Sequence, residues 1–426
     1  MTALDRSTLS LGGLGSTGMA GGGLIGVGGI GATIALAASS SSWAVFWKSY
    51  LFGFMVITGV SLGALFFVML QHITRAGWSV SLRRLAEGLA SNLRWLWLAF
   101  VPVIVMVWMG EGAILYPWAD PAIVSHDVVL QKKAGYLNPT FWSIRAICFL
   151  VIWAALAQFF VGQSVGQDHD GDLARTRRMQ TAAPVGIMLY ALSQTFAGVD
   201  WVMSLEPTWF STMFGVYWFA VSVTGFFSCL ILFATFLQSN GRMQGAISKE
   251  HYQDMGKLLF AFGVVFWAYI GYSQYMLIWY ANIPIETGWF LPRQMGNWKW
   301  VSLLLVFGHF MLPFLLLVSR WPKRWNKSLS VIAVWMVLMM IVDVYWLVMP
   351  TLPVKAAHDA ESLIQLMDQV DSGAVSVGWN LSILNFTAVV GMLGLLVAGT
   401  FMALRRCSLV PVSDPRLSES LDFENI

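Results

Sequence analysis

The chain has 426 residues, of which 57% are hydrophobic and 11% charged, against roughly 25% charged in an average soluble protein. Its formal net charge of +3, with no basic run, excludes nucleic acid as a partner. So much apolar surface cannot be hidden in a soluble core, and lipid is the solvent that the composition calls for.

A hydrocarbon layer about 30 Å thick is crossed by roughly 20 residues of helix. In chain order, the first candidate span is 18–38, rich in glycine, with Gly18, Gly22 and Gly26 at the small-xxx-small spacing that lets helices pack closely. Residues 7–47 carry no charge and no basic segment introduces them, so they do not read as a signal peptide. Nine stronger spans follow at about 49–70, 95–117, 141–162, 183–203, 209–237, 258–281, 300–318, 329–349 and 379–404. The fold class is therefore an all-α integral membrane protein of about ten transmembrane helices. It divides into an N-terminal tail with the glycine-rich helix (1–44), a core of eight spans (45–350), and an outward loop, last span and tail (351–426). The 22 tryptophans suit anchoring of helix ends at the interface.

Alternating the spans puts Arg6, Arg75, Arg83, Arg84, Arg94, Arg175, Arg177, Arg178, Arg242, Lys249, Lys257, Arg320, Lys323, Arg324, Lys327, Arg405, Arg406 and Arg416 on one side. These are 18 of the 25 basic residues, and the positive-inside rule places that side, with both termini, in the cytoplasm. The long outward loops 118–140 and 350–378 read as docking surfaces or interfacial caps, the second with an acidic stretch of Asp359, Glu361, Asp368 and Asp371.

Ionisable groups within spans are costly and mark function by default. His309 falls near mid-membrane, Asp343 in the outer half of the next span, and Glu111, Asp200 and Glu206 near the outer boundary. His72 and Lys257 lie at the cytoplasmic end, and Tyr269, Tyr272 and Tyr275 follow one helix face at i, i+3, i+6. Histidine, buried carboxylates and phenols together suit proton transfer. The competing reading is hydrogen-bonding residues that merely join helices. Cys148, Cys229 and Cys407 stand apart, and only His309 lies deep in a span, so neither an iron–sulfur cluster nor a bis-histidine haem is expected, and no metal site.

The stretch from Asp200 to Phe214 (DWVMSLEPTWFSTMF), the segment 256–289 (GKLLFAFGVVFWAYIGYSQYMLIWYANIPIETGW), His309 and DVYWLV at 343–348 resemble the ActF membrane subunits of bacterial alternative complex III, in the wider NrfD/PsrC-like group. The resemblance covers most of residues 45–350. It implies ten helices, eight in two four-helix bundles, in the bacterial inner membrane. It also implies a subunit without its own redox cofactor, beside a paralogous quinol-binding subunit (ActC) and partners carrying haem c and iron–sulfur clusters. Three functions follow as expectations: a proton pathway and scaffold in a quinol-oxidising complex; direct quinone binding at Asp200, Trp201 and Trp209; and, third, a secondary transporter, for which paired broken helices are lacking.

Overall fold

The computed structural model describes residues 6–351, 363–379 and 381–425. Ten helices are long and apolar enough to cross a membrane, and no strand occurs among the described residues. They are α1 (Gly13–Ser40), α2 (Trp43–Thr74), α3 (Val80–Trp108), α4 (Pro139–Asp170) and α5 (Leu173–Trp201). After them come α6 (Phe214–Ser239), α7 (Lys249–Ala281), α8 (Trp298–Val318), α9 (Asn326–Val348) and α10 (Ile383–Leu404). The chain is an all-α, multi-pass membrane protein.

Helices α2–α5 form one four-helix bundle and α6–α9 a second, with α2 against α6 along the seam. Small residues make that seam possible. At Gly63 a Cβ would come 2.6 Å from the Ser222 carbonyl oxygen, so only glycine lets the two backbones approach this far. Helix α10 covers α2 and α3, and α1 lies along α10.

The expected close packing of α1 is what the glycines supply. A Cβ would fall 2.5 Å from the Phe401 ring at Gly18, 2.7 Å from the Ala398 nitrogen at Gly22 and 2.6 Å from Leu395 Cδ2 at Gly26. From the other side, a Cβ at Gly394 would lie 2.4 Å from the Gly26 nitrogen. Gly394→Leu is therefore expected to pry α1 from α10 and destabilise the protein by about 1–3 kcal/mol. Gly21→Leu, which meets nothing within 4 Å, is the control. Thermal unfolding in detergent reads both, and equal melting temperatures would refute the packing account.

The third span begins earlier and ends sooner than the window 95–117. Its start, Val80–Ala90, carries Arg83, Arg84 and Glu87 and so is too polar for a hydropathy criterion. Those charges are matched inside the protein: Arg83 pairs with Asp414 at 2.6 Å, and Arg84 with Glu87 at 2.8 Å and Asp168 at 2.7 Å. At the far end Gly110, at φ +86°, turns the chain out of the helix.

Both termini gather on one face. The Met243 amide donates to the Thr8 carbonyl (2.9 Å), the Leu409 amide to the Leu9 carbonyl (2.7 Å), and Ser420 Oγ to the Trp78 carbonyl (2.7 Å). On the opposite face Asp368 and Asp371 lie on a short helix, Leu363–Asp371, seated by Leu366 and Val370, whereas Asp359 and Glu361 lie outside the described residues.

Candidate functional site

The second bundle holds a buried polar cluster on four helices. Asp343 of α9 is wholly buried, and two donors converge on its carboxylate. Tyr217 of α6 donates its hydroxyl to Oδ1 at 2.7 Å, and Trp267 of α7 donates its indole N–H to Oδ2 at 2.6 Å. His309 of α8, equally buried, is stacked on Trp267 with ring centroids 3.9 Å apart and planes 13° from parallel.

The backbone sets the histidine. Both α7 over Leu259–Phe266 and α8 over Leu305–Met311 widen into π-helical turns, a feature frequent at functional sites. The Gly263 carbonyl in the first accepts from His309 Nε2 at 3.1 Å and from Thr224 Oγ1 at 3.2 Å. A carbonyl only accepts, so Nε2 carries the hydrogen. Nδ1 then faces Asp343 Oδ2 across 3.6 Å with no other partner. A proton on either atom serves that gap, which makes the pair a place to hold one proton.

Two members of the cluster form part of the wall of a groove. Between α7 and α8 a cavity of about 850 Å³ opens on the exposed side of the two helices, where Val265, Leu303 and Val306 stand free. Its lining is mostly apolar; polar groups come from tyrosines (Tyr217, Tyr269, Tyr272, Tyr275), the Trp267 indole, Gln274, Gln294, Ser302, Lys299 and Arg293. The size is that of a small-molecule site, and the polar groups are few. Asp343 stands behind Tyr217 and Trp267, so an occupant reaches its carboxylate only through them.

Arg293, in the loop before α8, closes the end of the groove nearest that loop. It donates to the Trp289 (2.6 Å), Trp346 (3.2 Å) and Leu347 (3.1 Å) carbonyls, the last two in the C-terminal turn of α9, where a cation is favoured. Its guanidinium lies 3.4 Å over the Trp289 ring. Burial lowers its pKa to about 9, opposed by the charge of Glu206. Glu206 itself is pushed above the usual carboxylate range by burial, against the pull of Arg293 and Lys48.

The remaining candidates lie elsewhere. Tyr269 and Tyr272 stand exposed on the groove rim, and Tyr275 accepts from Gln294 Nε2 at 3.2 Å. No phenol of this stripe bonds Asp343; Tyr217, one helix away, does. Glu111 is exposed in the loop after α3. Asp200, in the first bundle, is bound by Arg145 through both oxygens, at 2.6 and 3.1 Å. Trp201 is packed among Phe54, Phe100 and Trp153 in that bundle. Trp209 stacks on Trp289 at 4.5 Å beside the second. The slot expected from Asp200, Trp201 and Trp209 is thus not assembled, because two of the three are committed to the first bundle's core. His72 is buried at the C-terminal end of α2 against Phe160, and Lys257 pairs with Asp254 at 2.7 Å near the start of α7.

Compared with known protein families and with curated proteins, the chain matches none. The residues that assemble the site therefore carry the functional reading. Tyr217 and Trp267 sit in aromatic-rich apolar runs, where nothing in spacing sets them apart from packing residues. By sequence, Arg293 is only one of the seven basic residues on the side opposite the other 18. Its signal is a charge next to Pro292 and five residues before the WKW that opens the next span.

Proposed function

We propose that this chain is a membrane subunit of a quinol-oxidising complex of the alternative complex III type. In this reading it admits a quinol-class amphiphile to the α7–α8 groove and handles the quinol's protons at Asp343. The observation that carries this is the groove itself, walled by Tyr217, whose hydroxyl lies 2.7 Å from the buried carboxylate. Quinol oxidation releases two protons with two electrons, so a quinol site needs a proton acceptor next to an apolar slot reached from the bilayer. Tyr217 passes a proton by giving its own to Asp343 as it takes one from the occupant, and His309 offers the next position at 3.6 Å.

Electrons go to partner subunits: iron–sulfur and multihaem cytochrome c proteins, beside a paralogous ActC-like membrane subunit. The bacterial inner membrane, with both termini cytoplasmic, agrees with the basic-residue count on the face where the termini meet. Direct quinone binding is preferred to a purely scaffolding and proton-conducting role because a groove of suitable size adjoins the acid.

Photoaffinity labelling of the purified complex with an azido-quinone tests this reading. Label is expected on α7 or α8 of this chain and displaced by excess quinone. Label confined to the paralogous subunit would reduce this chain to the scaffolding and proton-conducting role.

A further inference from the structure

The phenols of Tyr269 and Tyr272 are in an unusual position for a span. They are 64% and 66% exposed, they line the groove, and neither hydroxyl has a hydrogen-bond partner among the described residues. Tyr272 precedes the last residue of α7, Ala281, by nine positions and Tyr269 by twelve. At 1.5 Å per residue they lie about 13 and 18 Å below the outer end of the helix. Helical side chains lean toward the N-terminus, which here is the inner side, so neither phenol reaches back to the outer interface.

A hydroxyl facing hydrocarbon without a partner is unfavourable, and phenylalanine would fill the same volume without that cost. Two such hydroxyls one turn apart, at the edge of a cavity, imply an acceptor that belongs to neither the lipid chains nor this protein. The floor between the helices supports the same conclusion. Gly271 lies so close to Tyr217 that a Cβ there would be 3.2 Å from the ring, which brings the Asp343-linked phenol to the same turn of α7 as Tyr272.

From this we infer that Tyr272 and Tyr269 are the ligand-recognition hydroxyls of the groove. Their ligand is an amphiphile held below the interface whose ring carries carbonyl or hydroxyl oxygens. This rests on the groove being a quinol-class site and adds which groups recognise the ring. It moves these tyrosines from the proton route to ligand recognition. The two phenols donate to the ring oxygens from the lipid side, and Tyr217 meets the ring from the protein side. Specificity then comes from oxygen content, and the tail contributes only apolar contact.

The test uses the purified protein with its co-purifying subunits in lipid nanodiscs. Binding of decyl-benzoquinone is followed by quenching of tryptophan fluorescence, with decylbenzene as a competitor that has the tail and ring but no oxygens. Tyr272→Phe and Tyr269→Phe each remove one hydroxyl. Each is expected to weaken decyl-benzoquinone binding about three- to tenfold, leaving decylbenzene competition and melting temperature unchanged. Unchanged quinone affinity in both variants, with wild-type binding intact, overturns the recognition role alone. Loss of a membrane subunit during purification without a change in affinity also overturns it, since the phenols would then face a partner helix. Wild-type protein that binds neither compound overturns this inference together with the quinol reading.

Discussion

Asp343→Asn is expected to lower quinol oxidation by the purified complex at least about a hundredfold, in line with the loss of a positioned proton acceptor. Asparagine keeps the shape and one oxygen, so either Tyr217 or Trp267 retains an acceptor and the second bundle stays folded. What it loses is the capacity to take a proton from Tyr217, whose hydroxyl now points 2.7 Å from that carboxylate. Tyr217→Phe removes the relay and keeps the acid, so its turnover is expected to fall about tenfold or more with quinone affinity little changed. His309→Gln separates the next step: it leaves quinone binding intact and slows proton release measured in vesicles. Full turnover and full proton release in Asp343→Asn would remove the acid from any function and leave it a helix-joining residue.

The membrane fold was readable because it depends on coarse quantities. Ten runs of sufficient length and the one-sided basic residues require no knowledge of which helix touches which. Even the glycine-rich first span was legible, since Gly18, Gly22 and Gly26 are the positions that meet α10. His309 and Asp343 stood out because burying ionisable groups in a span is expensive. Their partners did not. Tyr217 and Trp267 become significant only through side-chain direction across three helices, and π-helical turns place the Gly263 carbonyl at His309 without a sequence marker. The buried charges of α3 were hidden for the opposite reason. Arg83 and Arg84 look like ordinary inward-loop residues until Asp168 and Asp414, distant in sequence, are seen to neutralise them.

Depth along the helices set Asp343 apart from Asp200, which falls near the span boundary, but depth alone does not say what each acid does. What separates them is the neighbouring charge. Asp200 accepts both Arg145 contacts, at 2.6 and 3.1 Å, and Arg145 is further held over the Tyr136 and Phe141 rings at 3.7 and 4.4 Å. Such an acid has both oxygens taken up by a two-point ion pair. Among the described residues, Asp343 has no arginine or lysine against it, only two neutral donors and a histidine. Asp200→Asn is therefore expected to cost stability and not chemistry. It strands the Arg145 charge in the first bundle, a loss of about 3–5 kcal/mol that lowers the melting temperature by about 5 °C or more. Quinol turnover per folded molecule stays at the wild-type level. Adding Arg145→Met to Asp200→Asn removes the stranded charge and is expected to recover more than half of the lost stability. A stable Asp200→Asn protein with abolished turnover would reverse the assignment and return the proton-handling role to the first bundle.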